Sequence, residues 1–284
     1  MAKLHRTISR VVRAQNTSDG AGVKLKRTIG SFSLENLDPF LMLDEFVSEK
    51  GSDYIAGFPS HPHRGFETVT YMIHGKMQHK DNHGNEGIIE SGGVQWMTAG
   101  RGIVHSEMPL QEDGLMWGFQ LWVNLPAHKK MTAPRYQDIP ASEVPSYTYD
   151  NGNHVRVIAG ELGTETQTIS GCVKDIVTSP LFLDVALKKG QEFQYPISAE
   201  AHGFLYTFQG QVEVEGQAIP AHHLGVLSED SAEQLTVHSP DQDSRFLLVA
   251  GKPLNEPIAK RGPFVMNTPQ ELQQAIVDYQ MGRF

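Results

Sequence analysis

Phe58-Pro59-Ser60-His61-Pro62-His63-Arg64-Gly65-Phe66-Glu67-Thr68-Val69 is the stretch on which the fold turns. Two histidines stand two apart, and a β-prone run continues through Thr70-Tyr71-Met72-Ile73 until Gly75 ends it. Residues i and i+2 of a strand point to one side, so His61 and His63 can offer two imidazoles to one point. Pro62 between them limits backbone freedom. Further on, Gly100-Arg101-Gly102-Ile103-Val104-His105-Ser106-Glu107 repeats the relation, with His105 and Glu107 as the second pair. Two such pairs on neighbouring strands would supply three imidazoles and a carboxylate. Nitrogen and oxygen donors without a thiolate suit iron(II), manganese, nickel, copper or zinc. His74, His79 and His83, on a strand end and a turn, read instead as surface or pocket-rim residues.

The rest of the chain agrees with a β protein. Met116-Trp117-Gly118-Phe119-Gln120-Leu121-Trp122-Val123 is a further strand, and Asp81-Asn82-His83-Gly84-Asn85 and Gly92-Gly93 are turn clusters. Short strands spaced by turns predict a sandwich or small barrel. With 284 residues and 39% apolar content, the chain can build two cores. No run approaches the ~20 apolar residues of a membrane helix. Met1-Ala2-Lys3-Leu4-His5-Arg6 leads into no apolar stretch of a secretory signal. The single cysteine, Cys172, forbids an intrachain disulfide and fits a reducing compartment, so a cytoplasmic location is expected. Net charge −9 with no dense basic cluster argues against nucleic acid as a direct partner.

Pro126, Pro134, Pro140 and Pro145 crowd one segment, which reads as an extended connector because proline cannot join the interior of a strand ladder. Three regions follow: 1–128, a metal-binding domain; 129–148, the connector; and 149–284, a second domain that ends in a helix. The second half repeats the first weakly. With Gly210 placed on Gly75, Tyr206 falls on Tyr71, and Ile219-Pro220-Ala221-His222-His223-Leu224 resembles Ile89-Glu90-Ser91-Gly92-Gly93-Val94. Thr268-Pro269-Gln270-Glu271 is a capping box with proline at the first helical position, and Leu272, Ile276 and Tyr279 follow at helical spacing.

Gly57, His61, His63, Glu67 and Gly75 resemble the first cupin motif, and Gly102 with His105 the second. More specifically, the chain resembles the pirin family of bicupins. The resemblance is carried by Asp38-Pro39-Phe40-Leu41-Met42-Leu43-Asp44-Glu45-Phe46, by the stretch from Phe58 to Val69, and by the run from Gln95 to Pro109. Leu121-Trp122-Val123-Asn124-Leu125-Pro126 and Gly262-Pro263-Phe264-Val265-Met266-Asn267-Thr268 match as well. The implied fold is all-β: two jelly-roll cupin domains in tandem with a short C-terminal helix.

The resemblance also implies a ligand set of His61, His63, His105 and Glu107 for one divalent ion per chain. Iron(II) is the implied metal, with zinc, manganese, nickel, copper or cobalt as alternatives. Glu67, a ligand in most cupins, is then left in or behind the coordination sphere, free to orient a histidine or take a substrate proton. Glu67 and Glu107 are the candidate catalytic carboxylates. Phe66, Trp96 and Met97 suit either a pocket wall or the core. On the same superposition Pro196, Ser198 and Leu235 replace the histidines in the second domain, which is expected to hold no metal. The implied activity is a quercetin 2,3-dioxygenase type of oxidoreductase, in which O₂ opens a small phenolic substrate with loss of carbon monoxide. The alternative is an iron-dependent redox switch that binds a protein partner in transcription control. A monomer is expected.

Overall fold

The computed structural model describes residues 5–229 and 232–284; Met1 to Leu4, part of the segment read for a signal, lie outside them. Antiparallel strands run from Ile8 to Met266, and the one α-helix among the described residues, Pro269–Gln280, follows. Among the described residues no helix is long and apolar enough to cross a membrane.

The chain divides into two compact units. One unit, called the metal-site unit for the expected ligands His61, His63 and His105 that it carries, comprises residues 15–31, 39–143 and 254–284. Its seven-stranded sheet runs in the order Arg135–Ile139, Val94–Thr98, Phe66–His74, Met116–Asn124, Phe40–Ser48, Val23–Arg27, Gln15–Asp19. A four-stranded sheet runs Phe58–His63, Ile103–Pro109, Lys76–Asp81, Glu86–Glu90. The second unit takes the described residues up to Ala14, 32–38 and 144–253. It repeats the plan: seven strands in the order Ile8–Arg13, His223–Leu227, His202–Gln209, Ser244–Gly251, Leu181–Leu187, His154–Ala159, Ser146–Thr148, and four in the order Gln191–Pro196, Gln234–Ser239, Gln211–Val214, Gln217–Pro220. Two sheets with polar and apolar faces, closed over a core, make each unit a cupin jelly roll.

The sequence-based boundaries at 1–128, 129–148 and 149–284 need three corrections. The N-terminal strand Ile8–Arg13 pairs with His223–Leu227 and completes the second unit. Buried Arg6 anchors it there by donating to the carbonyls of Ala232, Ser198 and Ser228. The C-terminal helix packs on the metal-site unit: Ala275 is buried against Phe264 and Met266, and Asp278 pairs with Arg64 at 2.8 Å. Thr268 caps it as expected, accepting from the Glu271 amide at 3.2 Å, while Glu271 Oε2 accepts from the Thr268 amide. Finally, the connector is partly a strand. Arg135–Ile139 fits between Pro134 and Pro140 and pairs with Val94–Thr98, so the prolines bound an edge strand.

The repeat is real but its offset drifts. Phe66–His74 matches His202–Gln209 at an offset of 135, whereas the later match of Ile89 with Ile219 has an offset of 130. The difference of five lies in the whole hairpin: the 82–85 turn becomes the two-residue Glu215-Gly216 turn, and strands Lys76–Asp81 and Glu86–Glu90 give way to the shorter Gln211–Val214 and Gln217–Pro220. Strand pairing also corrects the placement of the histidines. Leu235 pairs with Tyr195 as His105 pairs with His61, and the Ile197 amide bonds to the Glu233 carbonyl where His63 faces Ile103. Tyr195, Ile197, Leu235 and Val237 therefore stand at the positions of His61, His63, His105 and Glu107, not Pro196 and Ser198. Ile197, Leu235 and Val237 join one large apolar core with Phe193, Phe246 and Leu248. In the metal-site unit Leu41, Met42, Phe66, Trp122 and Val265 pack together, and Val23, Leu25, Phe46 and Met72 belong to another buried cluster.

Candidate metal centre

Strand Phe58–His63 carries the first pair and Ile103–Pro109 the second, and the two strands are neighbours with His105 opposite His61. A bulge between the pairs His105–His61 and Glu107–Phe58 sets Pro59 and Ser60 of one strand against Ser106 of the other, which re-aims side chains locally. The result is convergence. His61 Nε2 lies 3.0 Å from His63 Nε2 and 3.1 Å from His105 Nε2, with all three ligand atoms within 4.8 Å of one another.

The tautomers suit a metal. His61 Nδ1 is 2.8 Å from the Pro59 carbonyl, which can only accept, so Nδ1 carries the hydrogen and Nε2 keeps its lone pair. Burial disfavours protonation of the other two. His63 is held well below its ordinary value by burial and by the neighbouring His105 and His61. Burial lowers His105 to about 4, although Glu107 partly opposes the shift. Three imidazole Nε2 atoms converge where two of the rings are buried, and a cation matches them, since one lone pair on His61 Nε2 cannot fully accept from both His63 and His105.

Glu107 is buried beside this group, but its oxygens are not among the mutually close ligand atoms. It is held by two donors. Thr70 Oγ1 donates to Oε1 at 3.0 Å, and Gln120 Nε2 donates to Oε1 at 3.2 Å and to Oε2 at 2.9 Å. Neither donor was foreseen from the sequence. The available signal was a single amide, Gln120, in the apolar run from Met116 to Val123, because a buried amide requires a partner; Thr70 shares its strand with Glu67 and Thr68 and stands out less.

Glu67 does not join the centre. Phe66 meets the His63 ring at 5.2 Å and Thr70 meets Glu107, so the even-numbered residues of this strand face the site. Glu67 lies on the other face, paired across from Thr98, whose hydroxyl donates to its Oε1 at 2.7 Å. Burial raises the Glu67 carboxyl, and Thr98 and the nearby Trp96 indole oppose this. The expectation that Glu67 would orient a ligand or take a proton is corrected by strand alternation alone. Trp96 shares that outer face, and Met97 packs with Ala99 and Ile103 in the core. Phe66 does reach the site, its ring 4.4 Å from that of Trp122 and tilted 35° to it, and Trp122 itself meets the His63 ring at 5.3 Å.

His74 and His83 are exposed as expected, but His79 is not. It is fully buried opposite Glu107, with Nε2 3.3 Å from Asp138 and its ring 4.8 Å from that of Tyr136. Met77, His79 and Asp81 alternate with Lys76, Gln78 and Lys80, and that period of two marked His79 as inward-facing.

The turn after the ligand pair is pinned from several sides. Arg64 donates to the Arg101 carbonyl at 2.5 Å, pairs with Asp278 and lies 4.2 Å over the Phe284 ring. Lys130, buried and pushed down to about 8 by burial, donates to Gly65 O, Asn124 Oδ1 and Val265 O. Gly65 at φ +91° could not carry a Cβ, which would collide with Val265 O; a Cβ on Gly102 would lie 2.7 Å from the Phe284 ring.

His61 and His63 open onto a cavity of ≈ 640 Å³, whose walls include Gln120, Trp122, Phe58 and Arg27. Arg27 is tied at 2.7 Å by two bonds to buried Asp44. The volume is in the range of small-molecule sites.

Comparison with known proteins agrees with this geometry. The Pirin family model matches residues 22–123, and the Pirin C-terminal cupin domain model matches residues 182–284. A pirin-like protein of Caulobacter vibrioides is 47% identical, covering 98% of this chain and 99% of its own. A Pseudomonas aeruginosa protein provisionally named as a quercetin 2,3-dioxygenase is 48% identical over 93% of both chains. The crystal structure of quercetin 2,3-dioxygenase from Acinetobacter baumannii superposes with a TM-score of 0.90 at 34% identity, covering 99% of each chain. With two tandem cupin units and a convergent triad of histidines at one of them, this chain belongs to the pirin family of bicupins.

Proposed function

We propose that the protein is a metal-dependent dioxygenase that opens flavonols such as quercetin with O₂. The observation that carries this reading is the convergence of three imidazole nitrogens beside a buried carboxylate, on the wall of a cavity sized for a small aromatic molecule. His61, His63 and His105 would hold the ion, with Glu107 turning one oxygen toward it. Iron(II) is the proposed metal. When bound, the ion supplies Lewis acidity toward a flavonol hydroxyl and an electron path to O₂.

The chain's own residues do the rest. Gln120 and Thr70 fix Glu107, so its carboxylate stands ready to accept the hydroxyl proton. Trp122 and Phe66 form an aromatic wall that favours a planar ring and keeps water from that side. Arg64 and Lys130 hold the turn after His63, which limits how far the imidazole pair can drift. The second unit would bind no metal, because Tyr195, Ile197, Leu235 and Val237 fill the equivalent place and three of them belong to an apolar core.

The test combines elemental analysis of the purified protein, anaerobic binding of quercetin and exposure to O₂. One equivalent of metal per chain and release of carbon monoxide are expected. Metal-loaded protein that is inert toward flavonols would overturn the enzymatic reading in favour of a regulatory one. Two tightly bound equivalents would overturn the assignment of a metal-free second unit.

A further inference from the structure

Arg27 ends strand Val23–Arg27 and lines the same cavity as His61 and His63. Its guanidinium is fixed from two sides. Nε and Nη2 donate to the two oxygens of buried Asp44, each at 2.7 Å, and Nη2 donates again to Asp19 Oδ2 at 2.9 Å. Asp19 opens a turn that packs on the start of the first ligand strand. There the Ala21 amide donates to the Gly57 carbonyl at 3.0 Å, and a Cβ on Gly20 would lie 2.6 Å from the Phe58 ring. The Nε–H and both Nη2 hydrogens are thus occupied, which leaves the two on Nη1. Among the described residues no acceptor reaches Nη1, and the side chain keeps 21% of its surface exposed. Arginine stays charged at any ordinary pH. A cationic donor of fixed direction therefore remains on the wall that carries the ligand histidines.

We infer that Arg27 makes the site selective for ligands with a carbonyl beside the hydroxyl that meets the ion, the arrangement found in a flavonol. When such a ligand loses its hydroxyl proton, the negative charge spreads over both oxygens. One oxygen then serves the ion, and the other accepts a charge-assisted hydrogen bond from Nη1. A ligand without the carbonyl displaces the same water and leaves Nη1 unpaired, so the site discriminates against it. Arg27 is thus a specificity-determining residue, with its direction set by Asp44 and Asp19. This rests on the metal centre proposed above, and not on reaction with O₂.

The experiment uses the full chain loaded with nickel(II) under argon, and measures Kd for ortho-hydroxyacetophenone and for ortho-isopropylphenol. The two probes share their hydroxyl and nearly their size, and differ in the carbonyl. Arg27→Met alone would strand the buried Asp44 carboxylate, so the variant is Arg27→Met with Asp44→Leu, which removes the pair together. Chelation of nickel by the ketone favours it in both proteins alike, so the change in the ratio of affinities isolates Arg27. The double variant should bind the ketone about tenfold more weakly, the worth of a hydrogen bond to a charged group, and the alkylphenol within about twofold of wild type. Its nickel content should match wild type. An unchanged ratio would hand the carbonyl to another donor on the wall, such as Lys260, and overturn the role of Arg27. Equal weakening of both probes, or loss of nickel, would make the pair a prop of the cavity and overturn that role as well. Wild-type protein that takes up no nickel would overturn the metal centre, and this inference with it. The expected fall in the ratio, in a protein inert toward flavonols and O₂, would uphold the inference and overturn only the dioxygenase reading.

Discussion

Acid should destabilise the metal-free protein through its ligand histidines, and His105 gives a magnitude. It is 1% exposed, and burial lowers it from 6.5 to about 4. In the unfolded chain it would titrate at its ordinary value. A group with a depressed folded pKa is neutral in the folded state where the unfolded chain already binds a proton. Stability is therefore present above pH 6.5 and lost as the pH falls toward 4. Working the proton linkage through gives a loss of about 2 kcal/mol at pH 5 and about 3 kcal/mol at pH 4 from this residue. His63 shifts in the same direction, so the wild-type loss should exceed the share of His105. Urea unfolding of chelator-treated protein at pH 7.5, 6 and 5 reads the effect, with His105→Gln as the comparison. The variant should lose less stability between pH 7.5 and pH 5 than wild type by about 2 kcal/mol, whatever its stability at pH 7.5. Because the comparison is between slopes, carboxylates that titrate in both proteins cancel. Parallel pH profiles for wild type and His105→Gln would refute the reasoning and place the imidazole in contact with water. Bound metal should steepen the wild-type profile, since the ion keeps its ligand imidazoles deprotonated in the folded state while the unfolded chain still takes up protons.

Three further outcomes follow from the geometry. His63→Ala should strip most of the metal, read by plasma emission, because an imidazole donor is lost outright; wild-type stoichiometry in both His63→Ala and His105→Ala would place the ion elsewhere. Glu67→Gln should leave metal content and kcat within about twofold of wild type, since the residue faces away from the histidines, and a fall of about tenfold or more would return Glu67 to the mechanism. Its sign on stability is also fixed: the Glu67 carboxyl is raised in the folded protein, so stability is lost as pH rises through that range, and the amide should abolish this loss. Lys130→Met should destabilise the protein by about 1–3 kcal/mol, because Gly65 O, Asn124 Oδ1 and Val265 O lose their donor. Faster hydrogen exchange in the strand Phe264–Met266 would mark the released contact, and unchanged exchange and stability would refute it.

Local spacing carried much of the answer. The i, i+2 relation of His61 with His63, and of His105 with Glu107, needs only the two-residue period of a strand, so the histidine cluster was legible in one dimension. The capping box at Thr268 and the turns that punctuate the β runs are local in the same sense. The weak repeat around Gly75 and Gly210 likewise exposed the tandem domains.

What the tertiary structure decided depends on which strands pair, in what register and with which face inward. Glu67 shares a strand with Thr70, yet only the contact of Thr70 with Glu107 shows that odd-numbered residues face away from the ion. Gln120 and Thr70 come to Glu107 from other strands, and no spacing in the chain announces that meeting. The same holds for His79, read as a rim residue until the pairing of its strand with Ile103–Pro109 buried it. Register moved the replacements in the second unit from Pro196 and Ser198 to Tyr195 and Ile197, because a one-residue slip turns a strand's side chains to the opposite face. The ends of the chain were assigned to the wrong units for a related reason. A strand edge is completed by whichever segment offers free backbone groups and a matching apolar face, and Ile8–Arg13 found its partner in His223–Leu227, far along the sequence. Sequence composition and period fix what a segment can do; only the closure of the sheets selects the neighbours that let it do so.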